Sequence, residues 1–200
     1  YQVDLGAVRS AQGDYLSLLS ANTRSQIKRA LKEHGSALPA VTVAGADEIA
    51  SGLEEMRGLN AGRHADNAWD DPAFGRFVAA LLERGGEAGE VELLRFADAD
   101  GVVGLLVNFI YRGIAMNYQS AFAPPRTAKD KPGLLCHTAA VARYAACGLD
   151  RYSLLAGKDR YKQSLATCEE TLEWWTVERF APRLEAEALA RRLFRRPAAA

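Results

Sequence analysis

The sequence has few cysteines, no excess charge of either sign and no long apolar run, and each shortage excludes a class of protein. Its 200 residues include three cysteines, none in a Cys-x-x-Cys pair, which fits a reducing compartment better than a disulfide framework. The formal net charge is +0, so the chain as a whole lacks a long-range field that would attract nucleic acid. The longest apolar run, residues 102–110, is interrupted by Gly104 and Asn108 and is far shorter than the ~20 residues of a membrane-spanning helix. We therefore expect a cytoplasmic protein without a membrane span.

Several catalytic signatures are also missing. The sequence contains no P-loop, no Gly-x-Gly-x-x-Gly, no Gly-x-Ser-x-Gly and no His-Glu-x-x-His. Residues 98–100 have the Asp-x-Asp spacing of some metal sites, but the following Gly101 predicts the tip of a hairpin. Cys136 and His137 are neighbours on a predicted helix, so their side chains diverge and are unsuited to sharing a metal. We expect no metal site.

The composition is that of a globular domain. Hydrophobic residues make up 48% of the chain and charged residues 25%. A length of 200 residues suits a single domain with a sizeable core, which we place over residues 1–200. Because the chain begins with Tyr1 rather than methionine, we expect it to be trimmed or to be the C-terminal half of a longer two-domain protein.

Apolar periodicity predicts helices first, then a β-meander, then a strand-helix-strand unit. A helical stripe runs from Leu16 to Leu31 and ends at Gly35; Ser20 could instead cap a second helix, giving two pieces. Further helices are predicted at 47–59, 72–82, 132–146 and 182–194, and strands at 1–5, 40–44, 91–97, 102–111, 114–122, 151–156 and 172–180. This order predicts an α/β (α+β) fold with a mixed, largely antiparallel sheet flanked by helices.

The start of the helix predicted at Pro132 could bind an anion. The amides of Gly133, Leu134 and Leu135 lack partners in a first helical turn, and the helix dipole is positive there. Positive charge in the preceding loop comes from Arg126, Lys129 and Lys131. A phosphate site is one interpretation; a Pro-Gly turn with solvated lysines is the other.

Tyr161 and Lys162 follow the strand predicted at 151–156 and open a short helix. Both side chains then lie near the carboxyl end of a strand, where open α/β sheets place their ligands. The lysine could neutralise a phosphate or orient a carbonyl. The alternative is a surface lysine beside a half-buried tyrosine.

Two other polar groups could contact a substrate. Arg24 and Arg29 lie on one helical face with Lys28 and Lys32, which could bind phosphates or an acidic substrate, or could simply be solvated. In the polar stretch 60–71, His64 and Asp66 could supply a general base or a substrate contact, since imidazole titrates near neutrality.

The chain resembles the acetyltransferase-like domain of the CelD (cellulose-biosynthesis) type. That group belongs to the GNAT superfamily and is related to the FemAB aminoacyltransferases. The residues that carry the resemblance are Leu18-Leu19-Ser20, Thr23-Arg24, Ile27-Lys28-Arg29, Asp71-Pro72, Phe74, Phe77, Lys131-Pro132-Gly133-Leu134-Leu135, Gly148, Gly157 and Tyr161-Lys162.

The resemblance implies a GNAT core in which an acyl-CoA lies between splayed strands. The pantetheine would run along residues 114–122, the pyrophosphate would rest on the amides from Gly133 to Cys136, and amides near Phe122 would polarise the acyl carbonyl. Tyr161 or Tyr118 would protonate the leaving thiolate, and His64 or an acidic neighbour would deprotonate the acceptor through water. The basic pair Arg24 and Arg29, with Lys162, would face the cleft.

The resemblance thus implies an acyl-CoA-dependent N- or O-acyltransferase acting on a small molecule or a cell-envelope glycan precursor. The alternatives are an aminoacyl-tRNA-dependent transferase of FemAB type, which would contact nucleic acid, and a non-catalytic binding module. The last is suggested by one departure: Lys131-Pro132-Gly133 replaces the usual Gln/Arg-x-x-Gly-x-Gly/Ala signature.

Overall fold

The computed structural model describes residues 1–63, 67–177, 181–184, 186 and 187. The chain divides into two units, Tyr1–Glu170 and Thr171–Ala200. The first unit contains a six-stranded sheet with helices on both faces.

The strands of the sheet are β1 Gln2–Asp4, β2 Ala40–Val43, β3 Val91–Asp98, β4 Gly101–Tyr111, β5 Ile114–Phe122 and β6 Arg151–Ser153. Their spatial order is β1-β6-β5-β4-β3-β2. Neighbouring strands are antiparallel except β5 and β6, which are parallel. The prediction of a mixed, largely antiparallel sheet flanked by helices is confirmed.

The helices of the first unit are α1 Leu5–Ser10, α2 Ala21–Glu33, α3 Ile49–Asn60, α4 Pro72–Glu87, α5 Pro132–Ala146 and α6 Arg160–Leu165. Helices α1, α2 and α5 share one apolar core with Leu94 and Leu106 of the sheet. Helices α3 and α4 pack with Leu93 and Leu105 in a second core. Successive strand residues point to opposite faces, so β3 and β4 need apolar side chains at consecutive positions to fill both cores.

Local signals in the sequence account for several element boundaries. The side chain of Asp71 accepts a hydrogen bond from the amide of Ala73 (2.8 Å) and begins α4, with Pro72 in the first turn. Arg112 and Gly113 both have positive φ, 47° and 77°, as the tight hairpin between β4 and β5 requires. The predicted helix 132–146 coincides with α5.

One boundary decides between two predicted alternatives, and another differs from its prediction. The stripe from Leu16 to Leu31 forms two pieces, because the side chain of Ser20 accepts from the amide of Thr23 (3.2 Å) and starts α2 anew. Strand β6 is shorter than predicted: it ends at Ser153, since Leu155 has a φ of 59°, which a strand does not accommodate.

The predicted aromatic strand 172–180 is wrong for its described part. Residues 172–177 form no strand, and without a neighbouring strand to pair with, an aromatic pattern alone does not hold extended backbone in a sheet. Trp174 is 100% exposed and Trp175 83%, so neither side chain packs in a core. Residues 182–184, 186 and 187 are helical, and the rest of the predicted helix 182–194 lies outside the described residues.

A glycine in β4 allows α5 to lie directly on the sheet. A Cβ added at Gly104 would lie 2.7 Å from the carbonyl oxygen of Ala121, 2.8 Å from Cδ1 of Phe122 and 2.9 Å from Sγ of Cys136. Only a residue without a side chain fits between β5 and α5 at this point.

Strands β5 and β6 pair over three residues and then part. Ile114 pairs with Arg151 and Met116 with Ser153, after which β5 continues alone along this edge to Phe122. On its other edge β5 carries one extra residue, Tyr118, because Val107 pairs with Gln119 and Asn108 with Asn117. The sheet is therefore open between the carboxyl halves of two parallel strands.

Among the described helices, none has both the length and the apolarity that a bilayer crossing requires.

Candidate functional site

The first turn of α5 begins beside the end of β5 and presents two free amides. Pro132 has no N–H, and neither Gly133 nor Leu134 donates its amide to another described residue. The amide of Leu135 donates to the carbonyl of Lys131 (3.2 Å), so the argument that it too is free is wrong. Two free N–H groups at the positive end of a helix dipole form an anion-binding arrangement.

A cavity of about 300 Å³ opens at this turn. It lies between the end of β5, the start of α5 and α6. Its lining residues are Arg63, Phe122, Ala123, Pro125, Asp130, Lys131, Pro132, Gly133, Leu134, His137 and Tyr161. Five of the residues selected from the sequence therefore meet in one place: Phe122, Lys131, Gly133, Leu134 and Tyr161. Leu135 and Cys136 are wholly buried beneath it.

Gly133 contributes more than an amide to this cavity. A Cβ at position 133 would lie 3.2 Å from Cε2 of Phe122, so the ring of Phe122 packs against the bare helix backbone. The glycine keeps the backbone accessible to a ligand on the cavity side of that ring.

His137 lies one turn further along α5, at the inner wall of the cavity. It is 1% exposed, its Nδ1 lies 2.7 Å from the hydroxyl of Tyr152, and its Nε2 has no hydrogen-bond partner among the described residues. Tyr161 stacks on the imidazole at a centroid distance of 6.0 Å, and Phe122 meets it edge-on at 5.8 Å. Burial first, and the charge of Lys162 second, lower the pKa of His137 from 6.5 to about 4. The imidazole is therefore neutral near pH 7.

Lys162 is anchored to the loop that precedes α6. Its Nζ donates to the carbonyl of Ala156 (2.6 Å) and lies 3.4 Å from the carboxylate of Asp159, with the side chain 13% exposed. Gly157, at φ 119°, leaves space for this ammonium group: an added Cβ would lie 3.0 Å from Nζ. Lys162 is not one of the residues that line the cavity, and its charge acts on the site through His137.

A cluster of His, Asp and Arg side chains holds the loop that leads into α5. Nδ1 of His34 lies 2.5 Å from the carboxylate of Asp98, and its Nε2 lies 2.9 Å from that of Asp130. Arg126 lies 2.8 Å from both Asp98 and Asp100, and its amide donates to Asp130 (2.9 Å). Burial alone would raise the pKa of Asp98, but hydrogen bonds from Arg126 and His34 outweigh it and place the pKa at about 2, against an ordinary 3.8.

This cluster confirms one sequence interpretation and corrects another. The hairpin tip at residues 98–100 is confirmed, and its carboxylates neutralise Arg126, which we expected to add charge for an anion. His34 and Asp130 were missed, because no spacing in the sequence relates residues 96 positions apart.

Tyr118 lies away from the cavity. Its ring packs 5.0 Å from that of Phe109 and 6.5 Å from that of Phe74, in the core on the α3 and α4 side. Its position at the extra residue of β5 fixes the bulge, and it is not among the residues that line the cavity.

The predicted substrate-contacting cations form a separate surface. Arg24 and Arg29 line a shallow depression of about 380 Å³ on α2 with Lys28 and Lys32, and none of the four forms an ion pair with a described residue. The predicted base His64 and the predicted contact Asp66 lie outside the described residues, although Arg63, which precedes them, lines the cavity. Within the described part of the chain no group of His, Cys, Asp and Glu side chains could hold a metal ion.

A protein family described as "Acetyltransferase (GNAT) domain" matches residues 21–163, from the start of α2 into α6. The chain belongs to this GNAT family. The matched region of the GNAT domain contains every described residue that lines the cavity. A comparison with curated proteins gave no match.

Two solved structures are similar in part to this GNAT domain. A PaiA N-acetyltransferase from Thermoplasma acidophilum, in complex with coenzyme A, is 12% identical, with a TM-score of 0.38 over 55% of this chain and 75% of its own. A possible acetyltransferase from Clostridium difficile 630 is 14% identical, with a TM-score of 0.45 over 72% of this chain and 100% of its own.

Proposed function

We propose that this GNAT domain binds an acyl-CoA and transfers the acyl group to an amine or hydroxyl of an acceptor. The observation that carries the proposal is the pair of free amides, Gly133 and Leu134, opening onto a cavity where β5 and β6 part. Family membership supplies the reaction type, and the cavity supplies a place for phosphate and pantetheine groups at one site.

The proposed binding mode follows from the residues around the cavity. The amides of Gly133 and Leu134 would donate to pyrophosphate oxygens, assisted by the charge of Lys131. The apolar surface of Phe122 and Leu134 would contact the pantetheine. The departure from the usual glycine-rich signature does not remove the anion site, because two amides remain free.

In the proposed reaction the acceptor nitrogen or oxygen attacks the thioester carbon directly, and the carbon–sulfur bond breaks. The thiolate takes up a proton, and the acceptor loses one. Burial, then the charge of Asp159, raise the pKa of Tyr161, so its hydroxyl is protonated in the free protein. The raised pKa makes it a weak acid, so we propose that it donates to the sulfur only as negative charge builds up there. Tyr161 is a better candidate than Tyr118 because it lines the cavity. Burial is the main cause that raises the pKa of the Cys136 thiol well above its usual value, which argues against a cysteine nucleophile.

Thermal melting with CoA and acetyl-CoA tests the proposal. At about 100 times the dissociation constant, a ligand stabilises its protein by ~2.7 kcal/mol, which raises the melting temperature of a domain this size by roughly 5–10 °C. The absence of any shift with either compound would overturn the proposal and leave a non-catalytic module.

Two substitutions at one position separate the amide from the space around it. Gly133→Ala keeps the N–H and adds a methyl group against Phe122, whereas Gly133→Pro also removes the N–H. We expect the proline variant to lose much more of the CoA-induced shift than the alanine variant. Equal losses would mean that the amide does not bind the ligand.

The acceptor and the finer relationship are part of the proposal. By resemblance to CelD-type domains, we propose a small molecule or a cell-envelope glycan precursor as acceptor. A second candidate, aminoacyl-tRNA-dependent transfer of FemAB type, is supported by the half-buried Arg24 and the exposed Arg29, which have no ion-pair partner among the described residues. Binding of tRNA would weaken steeply with salt, because phosphate contacts release counterions. Replacing both arginines with glutamate would then abolish tRNA binding and leave the acetyl-CoA shift intact.

A further inference from the structure

The buried imidazole of His137 has one nitrogen without a hydrogen-bond partner, at the wall of the cavity. Tyr152 holds Nδ1 inside the core at 2.7 Å, so Nε2 lies on the other side of the ring, and the ring itself borders the cavity. Nε2 is closed to solvent and bonds to no described residue. A buried polar group without a partner has lost its hydrogen bonds to water and gained none in return, so native proteins keep few such groups.

The hydrogen-bond network indicates which nitrogen carries the proton. If the Tyr152 hydroxyl donates to Nδ1, the proton of the ring is on Nε2 and one group lacks a partner. If Nδ1 donated to Tyr152 instead, the hydroxyl proton and the lone pair of Nε2 would both be unpartnered, since Tyr152 has no other hydrogen bond among the described residues. The first arrangement leaves fewer unsatisfied groups, and it makes Nε2–H a donor.

The surroundings of Nε2–H favour a neutral oxygen as its acceptor. Phe122, Tyr161 and Leu134 give this part of the cavity an apolar, aromatic wall. Moving a phosphate into such a wall would cost far more than moving a carbonyl. The nearby ammonium group of Lys162 is already bonded to Ala156 and paired with Asp159. The two free amides at the mouth remain for the phosphates.

We infer that the Nε2–H of His137 donates a hydrogen bond to a carbonyl oxygen of the bound ligand, either the thioester carbonyl or an amide carbonyl of pantetheine. This inference rests on the proposed acyl-CoA site and deepens it. Tyr161 covers the imidazole in the free protein. The residue is 43% exposed and its hydroxyl bonds to no described residue, so its side chain can shift as the carbonyl arrives.

Two isosteric substitutions provide a matched test. In His137→Asn the side-chain amide takes the place of Nδ1 and can still meet Tyr152, but the donor toward the cavity is lost. In His137→Gln the amide takes the place of Nε2, so the donor is kept and the Tyr152 contact is lost. We expect His137→Asn to weaken acetyl-CoA binding about tenfold, and His137→Gln to stay within about threefold of the wild type.

Three probes identify the acceptor: acetyl-CoA, CoA, and adenosine 3′-phosphate 5′-diphosphate, which has the phosphates but no carbonyl. If the thioester is bound, His137→Asn weakens acetyl-CoA only. If a pantetheine amide is bound, acetyl-CoA and CoA weaken equally. Weakening of the nucleotide by the same factor would overturn the inference, because a phosphate would then be the acceptor.

A spectroscopic measurement on the wild type covers the case in which a variant does not fold. With ¹⁵N-labelled histidine, the free protein should show a neutral imidazole protonated on Nε2. The resonance of that proton should move downfield when acetyl-CoA binds, because it then enters a hydrogen bond. If the wild type binds acetyl-CoA, this resonance stays in place and both variants bind normally, the inference is overturned and the proposed function stands. A wild type that binds none of the three probes overturns the proposed function and this inference with it.

Discussion

Replacing Gly104 with alanine tests how tightly α5 lies on the sheet. The new methyl group would be 2.7 Å from a backbone carbonyl oxygen, that of Ala121, and 2.9 Å from Sγ of Cys136 on α5. A carbonyl oxygen in a sheet cannot rotate aside, so the helix or the strand must shift. Overpacking of this kind costs about 1–3 kcal/mol, of which up to ~1 kcal/mol is offset by the better strand propensity of alanine. Because the closest contact is with a backbone atom, the upper end of the overpacking range applies, and we expect a net loss of about 2 kcal/mol.

Urea denaturation measures this loss, and a second glycine provides the control. Gly104→Ala should lower the denaturation midpoint without changing the m-value, and should lower the melting temperature by roughly 4–8 °C. Gly58 lies in α3, and a Cβ there meets nothing within 4 Å. Gly58→Ala should therefore stabilise the protein by about 0.5–1 kcal/mol through helix propensity alone.

The result that refutes the reasoning is a Gly104→Ala protein within about 0.5 kcal/mol of the wild type. The helix would then lie farther from β4 than the structure places it. If instead the new methyl group displaces α5, His137 moves with its neighbour Cys136. The thermal stabilisation by acetyl-CoA should then decrease as well.

Three other predictions concern charge and catalysis. The low pKa of Asp98 contributes stability that is present above about pH 4 and is lost as the pH falls toward about 2. In Asp98→Asn the free energy of unfolding, measured with urea, should therefore change less with pH over that window. The lowered pKa of His137 contributes stability that is present above about pH 6.5 and is lost as the pH falls toward about 4. In Lys162→Met the pKa of His137 in the folded protein, measured by NMR, should rise but stay below 6.5, because burial is the larger cause. Tyr161→Phe should lower kcat for acyl transfer by about 10²-fold or more and leave the CoA-induced melting shift in place; an unchanged kcat would exclude Tyr161 as the proton donor.

The parts of the fold that depend on local signals could be predicted from the sequence. Helix α5 was predicted with its observed bounds because Pro132 opens it and Gly148, at φ 81°, follows its end. The short strand β6 was overestimated, since its length depends on pairing with β1 and β5 and not on its own residues. The aromatic segment 172–177 failed for the same reason: its residues favour a strand, but it has no partner.

The residues of the candidate site also fall into two groups, those that local sequence signals indicate and those that only the tertiary structure reveals. Gly133 and Leu134 could be selected from the chemistry of a helix start, and the structure places both at the cavity with Phe122 and Tyr161. His137 could not, because its importance depends on Tyr152 taking one nitrogen and leaving the other without a partner. In the sequence, His137 is notable only as the neighbour of Cys136, a pair that is unsuited to holding a metal.

The first residues of the chain hold the wall of the cavity from behind. The carbonyl of Tyr1 accepts from Leu154 (3.0 Å), and Gln2 exchanges backbone hydrogen bonds with Cys168 (3.0 and 3.1 Å). The segment between those two attachments carries α6, and with it Tyr161. Asp4 and Thr167, which also bond here (2.8 Å), are 163 residues apart. Contacts between such distant segments carry a large loop-closure entropy and form late in folding. We therefore expect the N-terminal strand to pair late in folding. The face of the cavity formed by α6 would then take its final place only after residues 1–4 have paired.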